Sequence, residues 1–175
     1  MAYQHKREPL TGDEVDRLVN AAESFEEKLV VFTLLDTGLR VAEFTALTTE
    51  NVQWQERRLA IYGKGGPYGK KSKRRVIPIT ERVRTLLEHL FAIRNDVGMT
   101  PRTVQRMVKR IANRANITKP VTPHVLRHTF SALCLRKGIG LRSLQALLGH
   151  DRITTTEIYM NVSPEDVVKE FRDKW

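Results

Sequence analysis

Apolar residues first recur at helical spacing in LTGDEVDRLVNAA, where Val15, Leu18 and Val19 share a face. Thr11 and the acids that follow it mark the start of that helix. Residues 1–10 are polar and read as a flexible lead-in. A second helix at residues 26–36 carries LVVFTLL, apolar on nearly every side, which belongs at the centre of a domain. Gly38 interrupts it, and a short helix resumes over residues 40–47. The period then changes, and residues 52–54, 58–62 and 75–79 read as short strands. Between the last two, GKGGPYGKKSKR combines glycines, a proline and basic residues, the composition of a long, mobile, cationic hairpin tip. From Glu81 the pattern is helical, over residues 81–91, 101–115, 125–137, 141–148, 154–159 and 164–174. Gly98, Pro120, Pro123, Gly138, Gly149 and Pro164 punctuate it. With no internal repeat and no boundary signal, residues 1–175 read as one mainly helical domain with a small antiparallel sheet on one side.

Charge changes this picture from a fold to a partner. Lys and Arg number 30 against 20 Asp and Glu, a formal net charge of +10, and a folded domain this basic commonly meets nucleic acid. The single cysteine, Cys134, excludes an intramolecular disulfide and fits a reducing compartment. Cys and His show no zinc spacing, so no metal site is expected. No apolar run approaches the roughly 18–20 residues of a membrane span, and MAYQHKREPL lacks a signal-peptide core, so the expected location is cytoplasmic.

Several residues could carry chemistry, although each has an ordinary structural reading as well. Arg40 follows a glycine at a helix start, and Glu43 one turn on can brace its guanidinium. Lys64 lies between glycines at the start of the hairpin tip, with Lys70, Lys71 and Lys73 close behind, and the sequence alone does not choose among these lysines. In TPHVLRHTF, Thr122 is an N-cap and Pro123 a first helical residue. His124 and Arg127 then fall on one face near the positive helix end, where a phosphate is favoured. His128 is read as a packing residue pointing elsewhere. His150 follows the helix-ending Gly149, and Tyr159 lies in TTTEIYMNV. A free phenol titrates near 10, so Tyr159 needs nearby cations and a base to act as a nucleophile.

Taken together, TGLRVAE, GKG with its basic run and VIPI, TPHVLRHTF, and LLGHDRITTTEIY resemble the motifs of the tyrosine recombinase, or phage integrase, catalytic domain, in order and over almost the whole chain. The resemblance implies that family's mainly α fold with a small antiparallel β-sheet. It implies that Tyr159 attacks a DNA phosphate to form a 3′-phosphotyrosyl bond, and that Arg40 and Arg127 hold the non-bridging oxygens. By the same resemblance Lys64 protonates the leaving 5′-oxygen, His124 assists proton transfer, His150 hydrogen-bonds the phosphate and Glu43 supports the site. A 5′-hydroxyl of another strand would then reseal the backbone, with no metal, ATP or other cofactor. Three departures from the family pattern stand out. Family members normally carry an N-terminal core-binding domain that closes round DNA, and this chain starts where that domain would end, as a shortened or an unusually minimal form, so weak DNA binding is expected of it alone. The hairpin carries an insertion, GPYGKK, which leaves Lys70 as a rival to Lys64. Asn161 stands where histidine is common.

The implied partners are double-stranded DNA and other protomers on it. The tail SPEDVVKEFRDKW could dock in trans or on its own core. Lys70, Lys71, Lys73 and Arg74 of the hairpin are expected to contact DNA, as are Arg102, Arg106, Lys109 and Arg110 on one side of the helix MTPRTVQRMVKRIANR, mainly through phosphates. Two other readings share the fold: a type IB topoisomerase-like enzyme and a DNA-binding regulator without activity. An intact Arg, Lys, His, Arg, His, Tyr set argues against the regulator.

Overall fold

Thr11 does what its position predicts. Its hydroxyl accepts from Glu14 N–H while the Glu14 carboxylate accepts from Thr11 N–H at 2.8 Å, a reciprocal cap that opens α1 (Gly12–Ala21). The computed structural model describes residues 8–62 and 74–149. The hairpin tip at 63–73 lies outside the described residues, as does everything from His150 onward, including the predicted helices at 154–159 and 164–174. The expected loose lead-in stops short of Leu10, which is buried. Its N–H donates to Thr129 Oγ1 at 2.9 Å, so a lone apolar residue at the end of a polar stretch serves as an anchor.

The helix predicted to be central is α2 (Phe25–Thr37), capped by Ser24. Leu29, Val30, Val31, Leu34 and Leu35 are buried from it on several sides. Each such side chain contributes roughly 1.5–3 kcal/mol by leaving water. α4 (Glu81–Ile93), α5 (Pro101–Arg114) and α6 (Pro123–Arg136) pack around it. Threonine hydroxyls cap all three, from Thr80, Thr100 and Thr122, each accepting from the backbone N–H three residues on. α6 therefore starts at its proline, two residues earlier than the pattern of apolar residues suggests, because Pro123 is buried and needs no N–H partner in the first turn.

The sheet has the order β1–β2–β3, all antiparallel: β1 (Val52–Gln53), β2 (Arg58–Tyr62) and β3 (Arg74–Pro78). Leu59 pairs with Ile77 and Ile61 with Arg75, so one face of the sheet carries Leu59, Ile61, Ile77 and, unexpectedly, an arginine. Between α2 and the sheet lie α3 (Val41–Thr45), shorter than expected, and an unforeseen 3-10 turn at Thr49–Asn51. The chain's last described helix, α7 (Leu141–Leu148), packs on α6 through Phe130, Cys134, Leu144 and Leu148. Burial there raises the Cys134 thiol to about 11, which leaves it unreactive.

One buried carboxylate ties the first helices to α5. Glu27 of α2 is 3 % exposed and accepts from Arg110 at 2.8 Å and Arg114 at 2.8 Å. The hydrogen bond from Arg114 comes first among the forces holding its carboxyl near 2. Those from Glu23 N–H and Arg110 add to it against the opposing effect of burial. Because the folded value lies below the unfolded one, this stability is complete above the ordinary carboxylate pKa and is lost as pH falls toward 2. Melting temperature followed from pH 6 to pH 2 should fall more steeply for the wild type than for Glu27→Gln. Parallel curves would mean the carboxylate carries none of the acid sensitivity.

Candidate active site

The site begins at the end of α2. Gly38 closes that helix with φ +61°, a conformation that favours glycine. A Cβ there would lie 2.3 Å from Phe130 Cδ1 on α6, so the turn also lets α2 and α6 approach closely. Two residues later Arg40 caps α3, its side chain 45 % exposed. Glu43, one turn into α3, accepts from Arg40 N–H at 2.8 Å and from Arg40 Nη1 at 3.1 Å, the bracing that their spacing predicts.

The larger claim on Glu43 comes from a residue that sequence reasoning missed. Arg75, on the inner face of β3, places Nη1 2.8 Å from Glu43 Oε1 and Nη2 2.7 Å from Oε2, a two-pronged ion pair that is almost wholly buried. Its Nε donates to Leu147 O at 2.9 Å, at the end of α7. Burial pushes the Glu43 carboxyl up, but the hydrogen bonds from Arg75 and Arg40 N–H, with the charges of both arginines, outweigh it and leave the group at about 2. The one sequence signal for Arg75 was its alternation with Ile77 on the buried face of a strand.

Arg127, on the first turns of α6, is buried. It donates through Nη1 to Gly38 O and through Nη2 to Leu148 O at 2.7 Å. Burial, together with the charges of Arg40 and Arg75 against the opposing pull of Glu43, lowers it to about 9, still a cation at neutral pH. Arg40, Arg75 and Arg127 thus stand around a single carboxylate, and the cluster is positive. His124 stands one turn before Arg127 at the positive end of α6, exposed to solvent.

The structure therefore brings together Arg40, Glu43 and Arg127 of the predicted set, with His124 one turn before Arg127 on α6. Lys64, Lys70, Lys71, Lys73, His150 and Tyr159 lie outside the described residues. Gly149, one residue before His150, ends α7 at φ +65°. His128 does not point elsewhere as expected: its Nε2 is 2.8 Å from His124 Nε2, because residues four apart on a helix are neighbours. Of the α5 residues, Arg102, Arg106 and Lys109 are exposed, whereas Arg110 turns toward Glu27 and is shared between an ion pair and the surface. Arg74 is exposed at the end of β3, across from Tyr62. Among the described residues no three His, Cys, Asp or Glu side chains come together as a metal site, and no helix is long and apolar enough to cross a membrane.

Comparison with known proteins converges on one family. The model of the Phage integrase family matches residues 8–166. Tyrosine recombinase XerA of Pyrococcus horikoshii is 34% identical over 168 residues, covering 88% of this chain and 56% of the relative. Tyrosine recombinase XerD of Listeria innocua is 32% identical over 191 residues, covering 94% and 62%. The chain thus spans a little over half the length of the curated relatives it matches. A crystal structure of XerA recombinase superposes with a TM-score of 0.80 at 29% identity, covering 95% of this chain and 64% of that one. XerH site-specific recombinase bound to palindromic difH substrate shares the fold, with a TM-score of 0.73 at 19% identity over 95% of this chain and 53% of that one.

Proposed function

The chain belongs to the phage integrase family, and from that premise we propose that it is the catalytic domain of a site-specific DNA recombinase, cutting and rejoining strands through a 3′-phosphotyrosyl intermediate. The observation that carries this reading is the buried positive cluster at the meeting of α3, β3 and α6. Arg127 is fixed by two backbone carbonyls, Arg40 is braced by Glu43 and partly exposed, and His124 stands at the same helix end. Guanidinium forks arranged beforehand around a point of developing negative charge supply transition-state stabilisation without reorganisation cost.

In this reading Arg40 and Arg127 hold the non-bridging oxygens of the scissile phosphate and Tyr159 attacks phosphorus. Its proton passes toward His124, Lys64 protonates the leaving 5′-oxygen, and His150 hydrogen-bonds the phosphate. Glu43 keeps Arg40 in place. Double-stranded DNA is the substrate and further protomers on it are partners, at the chromosomal or element DNA of the cytoplasm. Incubation with nicked suicide DNA should trap an SDS-stable protein–DNA adduct in the wild type and none in Tyr159→Phe. An adduct that survives the substitution would remove Tyr159 from its role. A chain that binds DNA and never forms an adduct would be the regulator instead.

The exposed face of α5 is the second DNA contact in this proposal. Arg106→Glu should weaken binding to all sequences alike and reduce the slope of log affinity against log salt by about one. An unchanged slope in a fluorescence-anisotropy salt series would exclude a phosphate contact there. Arg106 is the cleaner probe, since Arg110 also holds Glu27.

A further inference from the structure

We propose that His128 is a positioning residue for His124, fixing the orientation of the ring that the reading above assigns to proton transfer and coupling its tautomer to that of His128, and this inference rests on that reading. The two Nε2 atoms are 2.8 Å apart, and the rings meet edge to face with centroids 4.4 Å apart and planes at 85°. At that separation one ring donates and the other accepts, because two Nε2–H groups cannot face each other and two bare nitrogens would repel. The two imidazoles therefore hold one proton between their Nε2 atoms, and the pair carries at most one positive charge while it is intact.

The placement of the two rings makes this a device rather than a surface coincidence. His124 lies in the first turn of α6 and is exposed, a position where an imidazole left to itself would sample several rotamers and both tautomers. His128 is half-buried one turn further in, and the backbone on which it rides is pinned. Thr129 Oγ1 donates to Val125 O at 2.8 Å and accepts from Leu10 N–H at 2.9 Å, tying this turn to the start of the chain. Arg127, between the two histidines in sequence, is held by Gly38 O and Leu148 O. The half-buried ring can thus hold the exposed one through their shared hydrogen bond. A general acid or base must present the right nitrogen in the right protonation state, and a hydrogen bond to its other nitrogen is the usual way of choosing it.

A packing histidine would tolerate any residue of similar volume, which separates the two roles. The full 175-residue chain is compared as wild type, His128→Gln and His128→Phe. Glutamine keeps a hydrogen-bonding group near the position of Nε2, while phenylalanine keeps the ring volume alone. Imidazole nitrogen shifts from long-range 1H–15N NMR should show complementary tautomers for His124 and His128 in the wild type, one Nε2 protonated and the other bare. The rate of covalent adduct formation should fall about tenfold or more in His128→Phe, a fraction of the roughly 10²–10⁴ that proton transfer contributes, and recover largely in His128→Gln. Tautomers that are not complementary in the wild type, or identical rates in the glutamine and phenylalanine variants, overturn the proposal. If no protein forms an adduct, the recombinase reading fails, while the NMR comparison still decides whether His128 governs His124.

Discussion

Arg127→Lys should lower the rate of covalent adduct formation by about 10²–10³-fold while DNA affinity changes little, on the scale of losing one fixed donor to a developing oxyanion. The substitution retains the positive charge, so long-range attraction to DNA persists. What it removes is geometry. Arg127 spans from Gly38 O on one side to Leu148 O on the other, and a planar fork can serve both carbonyls while keeping further N–H groups for a phosphate. A lysine ammonium is a single point and cannot hold that span. Single-turnover cleavage of a suicide substrate beside an anisotropy titration makes the measurement, with the melting temperature recorded to separate folding from chemistry. Cleavage at the wild-type rate would reduce Arg127 to a structural tie between α2, α6 and α7.

The second large effect concerns stability. Arg75→Ala leaves Glu43, 14 % exposed in the intact protein, with Arg40 as its remaining charged partner. Removing one side of a buried ion pair costs about 3–5 kcal/mol, and the surviving Arg40 contact favours the lower end. For a domain of this size, at roughly 2–4 °C per kcal/mol, the melting temperature should drop by about 6–12 °C. The double variant Arg75→Met/Glu43→Met should regain much of the loss, because it no longer strands a charge away from water. A drop of less than about 2 °C in the single variant, again at 2–4 °C per kcal/mol, would mean that water or Arg40 fully replaces the guanidinium.

These two arginines also mark where sequence reading ends. Features carried by neighbouring residues were legible: the threonine caps at Thr11 and Thr122, the helix ends at Gly38 and Gly149, the all-round apolar α2, and the bracing of Arg40 by Glu43. Each depends on spacing within one or two turns, which the chain displays directly. The Arg75–Glu43 pair joins residues 32 positions apart, and Glu27 meets Arg114 across 87, so neither appears in any local pattern. The ion pair that Arg110 makes with Glu27 was likewise out of sight, because the carboxylate sits on another helix. His128 is a different kind of miss, since its spacing from His124 already made the two rings neighbours.

Gly38 gives the site an unusual genetic signature. It has no side chain to lend to chemistry, yet its carbonyl receives Arg127, its Cα faces Phe130, and its turn sets where Arg40 begins α3. An alanine there would wedge α2 from α6 and displace Arg40 and Arg127 at once. A selection for inactive alleles would return this position together with the arginines, and second-site revertants would cluster at Phe130, where a smaller residue makes room.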